Sequence, residues 1–96
     1  MSRMHNPAHP GEVLREYLDD LPLAGVAEHI GVSLATLQRI VDCKESIYPD
    51  LAYRLGAALG TSPDLWAGMQ LQYDMYQAEK LPRPRIECLL PLVARP

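Results

Sequence analysis

The stretch from Val26 to Lys44 constrains the fold more than any other part of this 96-residue chain. Val26, Ala27 and Ile30 lie at helical spacing and run into Gly31, a residue suited to closing a helix. Ser33 follows after a single intervening residue, and its hydroxyl is suited to capping a new helix one turn in. Leu37, Ile40 and Val41 then resume the apolar period. A turn this short sets the two helices steeply to one another. The 3.6-residue period leaves Leu34, Ala35, Thr36, Gln38, Arg39 and Asp42 on the outer side of the second helix.

The rest of the chain frames this unit with further helices. His9-Pro10-Gly11-Glu12 opens a first helix, with proline where a missing N–H costs nothing and an acid near the positive end of the dipole. Val13, Leu14, Tyr17, Leu18 and Leu21 give it a buried stripe, and Asp19, Asp20 and Pro22 end it. The second helix runs from about Ala24 to Ile30. Tyr48-Pro49-Asp50 starts a fourth, with Leu51, Ala52, Leu55 and Leu59 inward and Gly60 at its close. Ser62-Pro63-Asp64 starts a fifth. Leu65, Trp66, Met69, Tyr73 and Tyr76 line one of its faces, and Leu71, Met75 and Ala78 form a second apolar face that suits a partner. Past Lys80, Pro82, Pro84, Pro91 and Pro96 forbid a continuous helix. The intervening Ile86–Val93 is too apolar for a solvated tail; it packs on its own domain, on a second subunit or on another protein. The reading is all-α: residues 1–8 a loose N-terminus, 9–79 a five-helix domain, 80–96 a Pro-rich apolar tail.

Length limits the chain to one domain with a small core, so pairing with a second copy is an expected source of stability. Phe is absent, and Leu, Ala, Val and Ile must fill the interior with one Trp, five Tyr and four Met. The net charge is -3, unevenly spread: residues 80–96 carry Lys80, Arg83, Arg85 and Arg95 against Glu87, while residues 1–79 hold five cations against eleven acids. No run approaches the roughly 20 apolar residues that span a bilayer, and no secretory leader is evident. A cytoplasmic protein with Cys43 and Cys88 reduced is expected. His5, His9 and His29 lack metal spacing. No nucleophile set, phosphate loop or carboxylate pair is recognisable, so neither cofactor nor enzymatic activity is expected.

A helix presented outward after a short turn reaches base edges in a DNA major groove. Ser33 and Thr36 are candidate donors to phosphate or base edges, although Ser33 also serves as a cap. Gln38 and Arg39 point outward. Leu34 and Ala35 meet thymine methyl groups, or Leu34 folds back onto the core. Lys44 and Arg54 are candidate phosphate contacts, which fix register without reading sequence.

His9-Pro10-Gly11-Glu12, the Gly31-Val32-Ser33 turn, Pro49 and Leu59-Gly60-Thr61-Ser62-Pro63-Asp64-Leu65-Trp66 stand in one order over residues 9–78. In that order the chain resembles a HigA-type (VapI-like) antitoxin of the Xre helix-turn-helix class. The resemblance implies a five-helix lambda-repressor-like domain, usually a homodimer, that binds a palindromic DNA operator, represses its own operon and neutralises a RelE-like ribonuclease toxin. It aligns Arg39 with a base-reading position. The chain departs from the family where Ala24 and Gly25 replace a Ser/Thr cap, where Leu34 replaces an Arg or Gln, and where Asp42-Cys43 replaces Asn-Gly. Asp42 and Glu45 add negative charge beside the expected groove. Two alternatives remain: a protein-interaction module whose DNA binding has decayed, and a stand-alone Xre-type regulator.

Overall fold

The structure, a computed structural model, describes residues 6–90. Among them are five helices and no strand: α1 Pro10–Leu18, α2 Leu23–Ile30, α3 Leu34–Val41, α4 Pro49–Leu59 and α5 Pro63–Glu79. Helices α1 to α4 are short, and none would hold its shape alone in water. One shared core holds them. Leu14 and Leu18 of α1, Ala27 and Ile30 of α2, Leu37, Ile40 and Val41 of α3, and Leu51, Ala52 and Leu55 of α4 close around Trp66 of α5. Each large apolar side chain buried there contributes ~1.5–3 kcal/mol.

Polar bonds set the register of this core. The Trp66 indole N–H donates to Thr61 Oγ1 at 2.8 Å, and the Tyr17 ring meets the Trp66 ring edge-on at 5.2 Å. Gln70 is buried on the same face of α5. Its Oε1 accepts the Ile47 N–H at 2.8 Å and its Nε2 donates to Asp74 at 2.9 Å, so it ties the segment after α3 to α5.

The structure corrects several expected inward positions. α1 stops at Leu18, where Asp19 turns to φ 46°, so Leu21 no longer shares the helical stripe and is 55% exposed. Tyr17 packs its ring against Trp66 but is otherwise largely exposed. Leu65 is exposed and Tyr73 and Tyr76 are only half-buried, whereas Val26, Leu59 and Met69 face inward as expected and pack, partly buried, against the core. α2 begins at Leu23, with Pro22 before it and no side-chain cap. Residues 81–90 form no helix or strand and every one is exposed; Ile86, Leu89 and Leu90 make no use of the core. Pro91, Leu92, Val93, Arg95 and Pro96 lie outside the described residues, as do Arg3 and His5.

His9 caps α1. Its Nδ1 accepts the Gly11 N–H at 2.8 Å while the ring stands edge-on to Tyr73 at 4.8 Å. Burial pushes its pKa below 6.5, and the charges of Asp74 and Glu12 oppose that only in part. The cap needs the Nδ1 lone pair, so the fold prefers neutral imidazole. The unfolded chain then takes up the proton first as pH falls. This contribution to stability is complete above pH 6.5 and is lost as pH drops from there toward the depressed folded value. The urea midpoint of the parent is therefore expected to fall between pH 7.5 and pH 5 by more than that of His9→Asn, whose amide keeps a cap without titrating. Equal slopes for the two proteins would remove His9 as the source.

Candidate nucleic-acid interface

Gly31 makes the turn between α2 and α3. Its φ of 78° is a left-handed conformation that glycine adopts without strain. The N–H groups of Gly31 and Val32 both return to the Ala27 carbonyl, at 2.9 and 3.0 Å. The Arg54 guanidinium, arriving from α4, donates to the Ile30 carbonyl at 2.7 Å and occupies the space a Cβ on residue 31 would need. The turn is thus fixed from both sides.

Ser33 opens α3. Its Oγ accepts the Thr36 N–H at 3.0 Å and donates to Thr36 Oγ1 at 2.9 Å. One free N–H is thereby satisfied, and the positive end of the α3 dipole faces solvent, where anions are favoured. Leu37, Ile40 and Val41 anchor the inner side of α3 in the core. Ser33, Leu34, Ala35, Gln38 and Arg39 are brought together on its exposed side, and Thr36 is half-buried at the edge. Leu34 does not fold back: it is 46% exposed. Lys44 is exposed just beyond the helix. Arg54 stands apart from this face, with Nε on Asp50 at 2.7 Å and a terminal N–H on the turn. Asp50 raises its pKa further.

The far end of α3 is more acidic. Arg39 Nε donates to Glu45 at 2.6 Å, with half of the Arg39 side chain exposed. Gln38 Nε2 donates to Asp42 at 3.1 Å. Asp42 also pairs with Arg15 at 2.8 Å, and the same Arg15 nitrogen donates to the Val41 carbonyl at 2.9 Å. Arg15 therefore closes the C-terminus of α3 and neutralises the nearest acid. Cys43 takes φ 63°, and the chain leaves the helix with Cys43 N–H on the Ile40 carbonyl and Lys44 N–H on the Arg39 carbonyl. That crossing of bonds is a Schellman ending, in which glycine avoids a strain of ~1 kcal/mol that cysteine carries. Burial and the Glu12 charge raise the Cys43 thiol pKa, so it stays protonated at neutral pH.

Arg15, His9 and Gln70 are structural residues that periodicity did not single out. His9 was legible as a cap: an acceptor side chain directly before Pro-Gly at a helix start. Arg15 and Gln70 carried no such local signal.

No family model matches the chain. It is 30% identical over 80 residues to the uncharacterised HTH-type transcriptional regulator YddM of Escherichia coli K12, covering 81% of this chain and 85% of that protein. Among solved structures, an addiction module antidote protein of the HigA family from Coxiella burnetii aligns with a TM-score of 0.75 and 34% identity, over 79% of this chain and 86% of that one. The Pseudomonas aeruginosa antitoxin HigA, solved with the higBA promoter, aligns with a TM-score of 0.72 and 39% identity, over 75% and 82% of the two chains. At this identity and coverage, this chain belongs to the HigA-type antitoxins of the Xre helix-turn-helix family.

Proposed function

We propose that the chain is a DNA-binding antitoxin that inserts α3 into the major groove of a palindromic operator. The observation that carries this reading is the outer side of α3. A capped, solvent-facing N-terminus and the exposed Leu34, Ala35, Gln38 and Arg39 sit on a helix whose inner side is locked in the core. The promoter complex of a similar HigA supports it. As a homodimer the protein would set two copies of α3 ~34 Å apart in successive grooves. Ser33 and Thr36 then meet phosphate or base edges, Leu34 and Ala35 thymine methyls, Gln38 and Arg39 base edges, and Lys44 and Arg54 phosphates. In the cytoplasm it represses its own operon and neutralises a RelE-like ribonuclease toxin. Co-purification with the product of the adjacent reading frame tests the toxin assignment.

Arg39→Ala is expected to weaken operator binding by ~1–3 kcal/mol and to relax one base position. Glu45→Gln releases the Arg39 side chain and is expected to act in the opposite direction. The exposed pair itself is worth little to stability, so unfolding should move little in either variant. A gel-shift titration of the upstream intergenic DNA at two salt concentrations reads both effects. Unchanged binding by both variants would remove Arg39 from the interface. A second reading, capture of a protein partner without DNA binding, draws on the carboxylates held against Gln38 and Arg39. No salt-dependent shift combined with tight toxin binding would establish it.

A further inference from the structure

An apolar groove of about 340 Å³ opens where the end of α1 meets α2 and α4, lined by Leu18, Leu21, Val26, Ile30 and Leu59. Asp19 and Asp20, both exposed, lie in the chain between its lining residues Leu18 and Leu21 and bring negative charge to this end of the molecule. Elsewhere in the same chain runs an arm with the converse make-up. Residues 81–90 form no helix or strand and are exposed, with Ile86 79%, Leu89 97% and Leu90 67% accessible, and they carry Arg83 and Arg85. Local bonds barely use these cations: Arg85 meets Glu87 at 3.5 Å with both side chains more than 80% exposed, and Arg83 reaches the Ala78 carbonyl. The residues up to Glu79 are net acidic and those from Lys80 on net basic.

The arm does not meet the groove of its own chain. α5 runs antiparallel to α1, from Trp66 beside Tyr17 to Tyr73 beside His9. Its 17 residues carry the chain ~25 Å away from the groove. The molecule is accordingly elongated, 56 × 23 × 22 Å. Each copy therefore presents a basic apolar arm at one end and, at the other, an apolar groove with Asp19 and Asp20 next to its lining residues in the chain. Two copies related by a two-fold axis satisfy both reciprocally, and a closed exchange doubles the apolar area buried.

We propose that residues 81–90 of one copy dock in the Leu18, Leu21 and Leu59 groove of a second copy, with Arg85 against Asp20. The inference deepens the homodimer reading above and is independent of DNA binding. Leu21 is exposed, so Leu21→Cys in a Cys43→Ser background places a thiol at the groove beside the arm's own Cys88. On mild oxidation of the purified full chain, a covalent dimer is expected in more than half of the protein. It should vanish when Cys88→Ser is added and be absent from Cys43→Ser alone. Asp20→Lys is expected to raise the dimer dissociation constant at least tenfold in sedimentation, and Arg85→Glu on the same chain to restore it. A dimer by mass that gives no such bond leaves the homodimer standing and overturns the arm docking. A monomer by mass, or a bond formed within one chain, overturns it too.

Discussion

Gly11→Ala is expected to cost at least about 3 kcal/mol of stability, although the same exchange inside an ordinary helix stabilises by roughly 0.5–1 kcal/mol. The reason is the distance between α1 and α3. A Cβ on Gly11 would overlap the Ile40 carbonyl oxygen, with the Ile40 carbonyl carbon at 2.9 Å and His9 Nδ1 at 3.0 Å. The obstacle is backbone at the end of a packed helix and cannot rotate aside. To admit a methyl group, α1 must lift from α3. That motion strains the His9 cap, pulls Arg15 from the Val41 carbonyl and loosens Leu14 from the core. Thermal unfolding should fall by on the order of 15 °C. Gly68→Ala is the internal control: it lies inside α5, and a Cβ there meets nothing within 4 Å, so it should raise the midpoint slightly. A Gly11→Ala protein that melts with its parent would refute the close contact.

The contrast between these two glycines shows how much of the molecule is written locally. Gly31 and Gly60 close helices and follow runs whose period announces the ending. Ser33 and Ser62 accept the N–H groups expected of them, at 3.0 and 3.1 Å. Leu37, Ile40 and Val41 face inward because the 3.6-residue period leaves no other choice. Gly11 looks like a mere adjunct of Pro10 until α3 is laid against it. Arg15 binds Val41 and Asp42, Arg54 binds Ile30, and Gln70 binds Ile47, each across more than 20 residues of sequence. Such bonds depend on which helices become neighbours, and periodicity carries no record of that. For the same reason Arg54 reads only as a candidate phosphate contact in the sequence and proves also to hold the Gly31 turn. Leu21 failed in the other direction: its spacing continued a stripe whose helix had already ended at Leu18.

Those long-range clamps fix α3 rigidly enough that its outer side can be tested apart from its stability, and Ala35→Glu makes the test. Ala35 is exposed in the first turn of α3, next to the Ser33 cap and away from Leu37 and Ile40. A carboxylate there lies at the positive end of the helix dipole and should stabilise the folded protein by ~0.3–1 kcal/mol. In a DNA groove the same carboxylate has no cation to meet. It is desolvated against base edges and faces phosphates, a penalty of about 3 kcal/mol or more, which is roughly a hundredfold in affinity. Ala35→Gln matches its bulk without the charge and should lose far less. Stability and operator affinity therefore move in opposite directions in one variant, an outcome that partial unfolding cannot produce. Urea unfolding and gel-shift titration on the same preparation read the two. Parent-like operator affinity in Ala35→Glu would mean that α3 does not enter the groove, and the outer side of that helix would then belong to a protein partner.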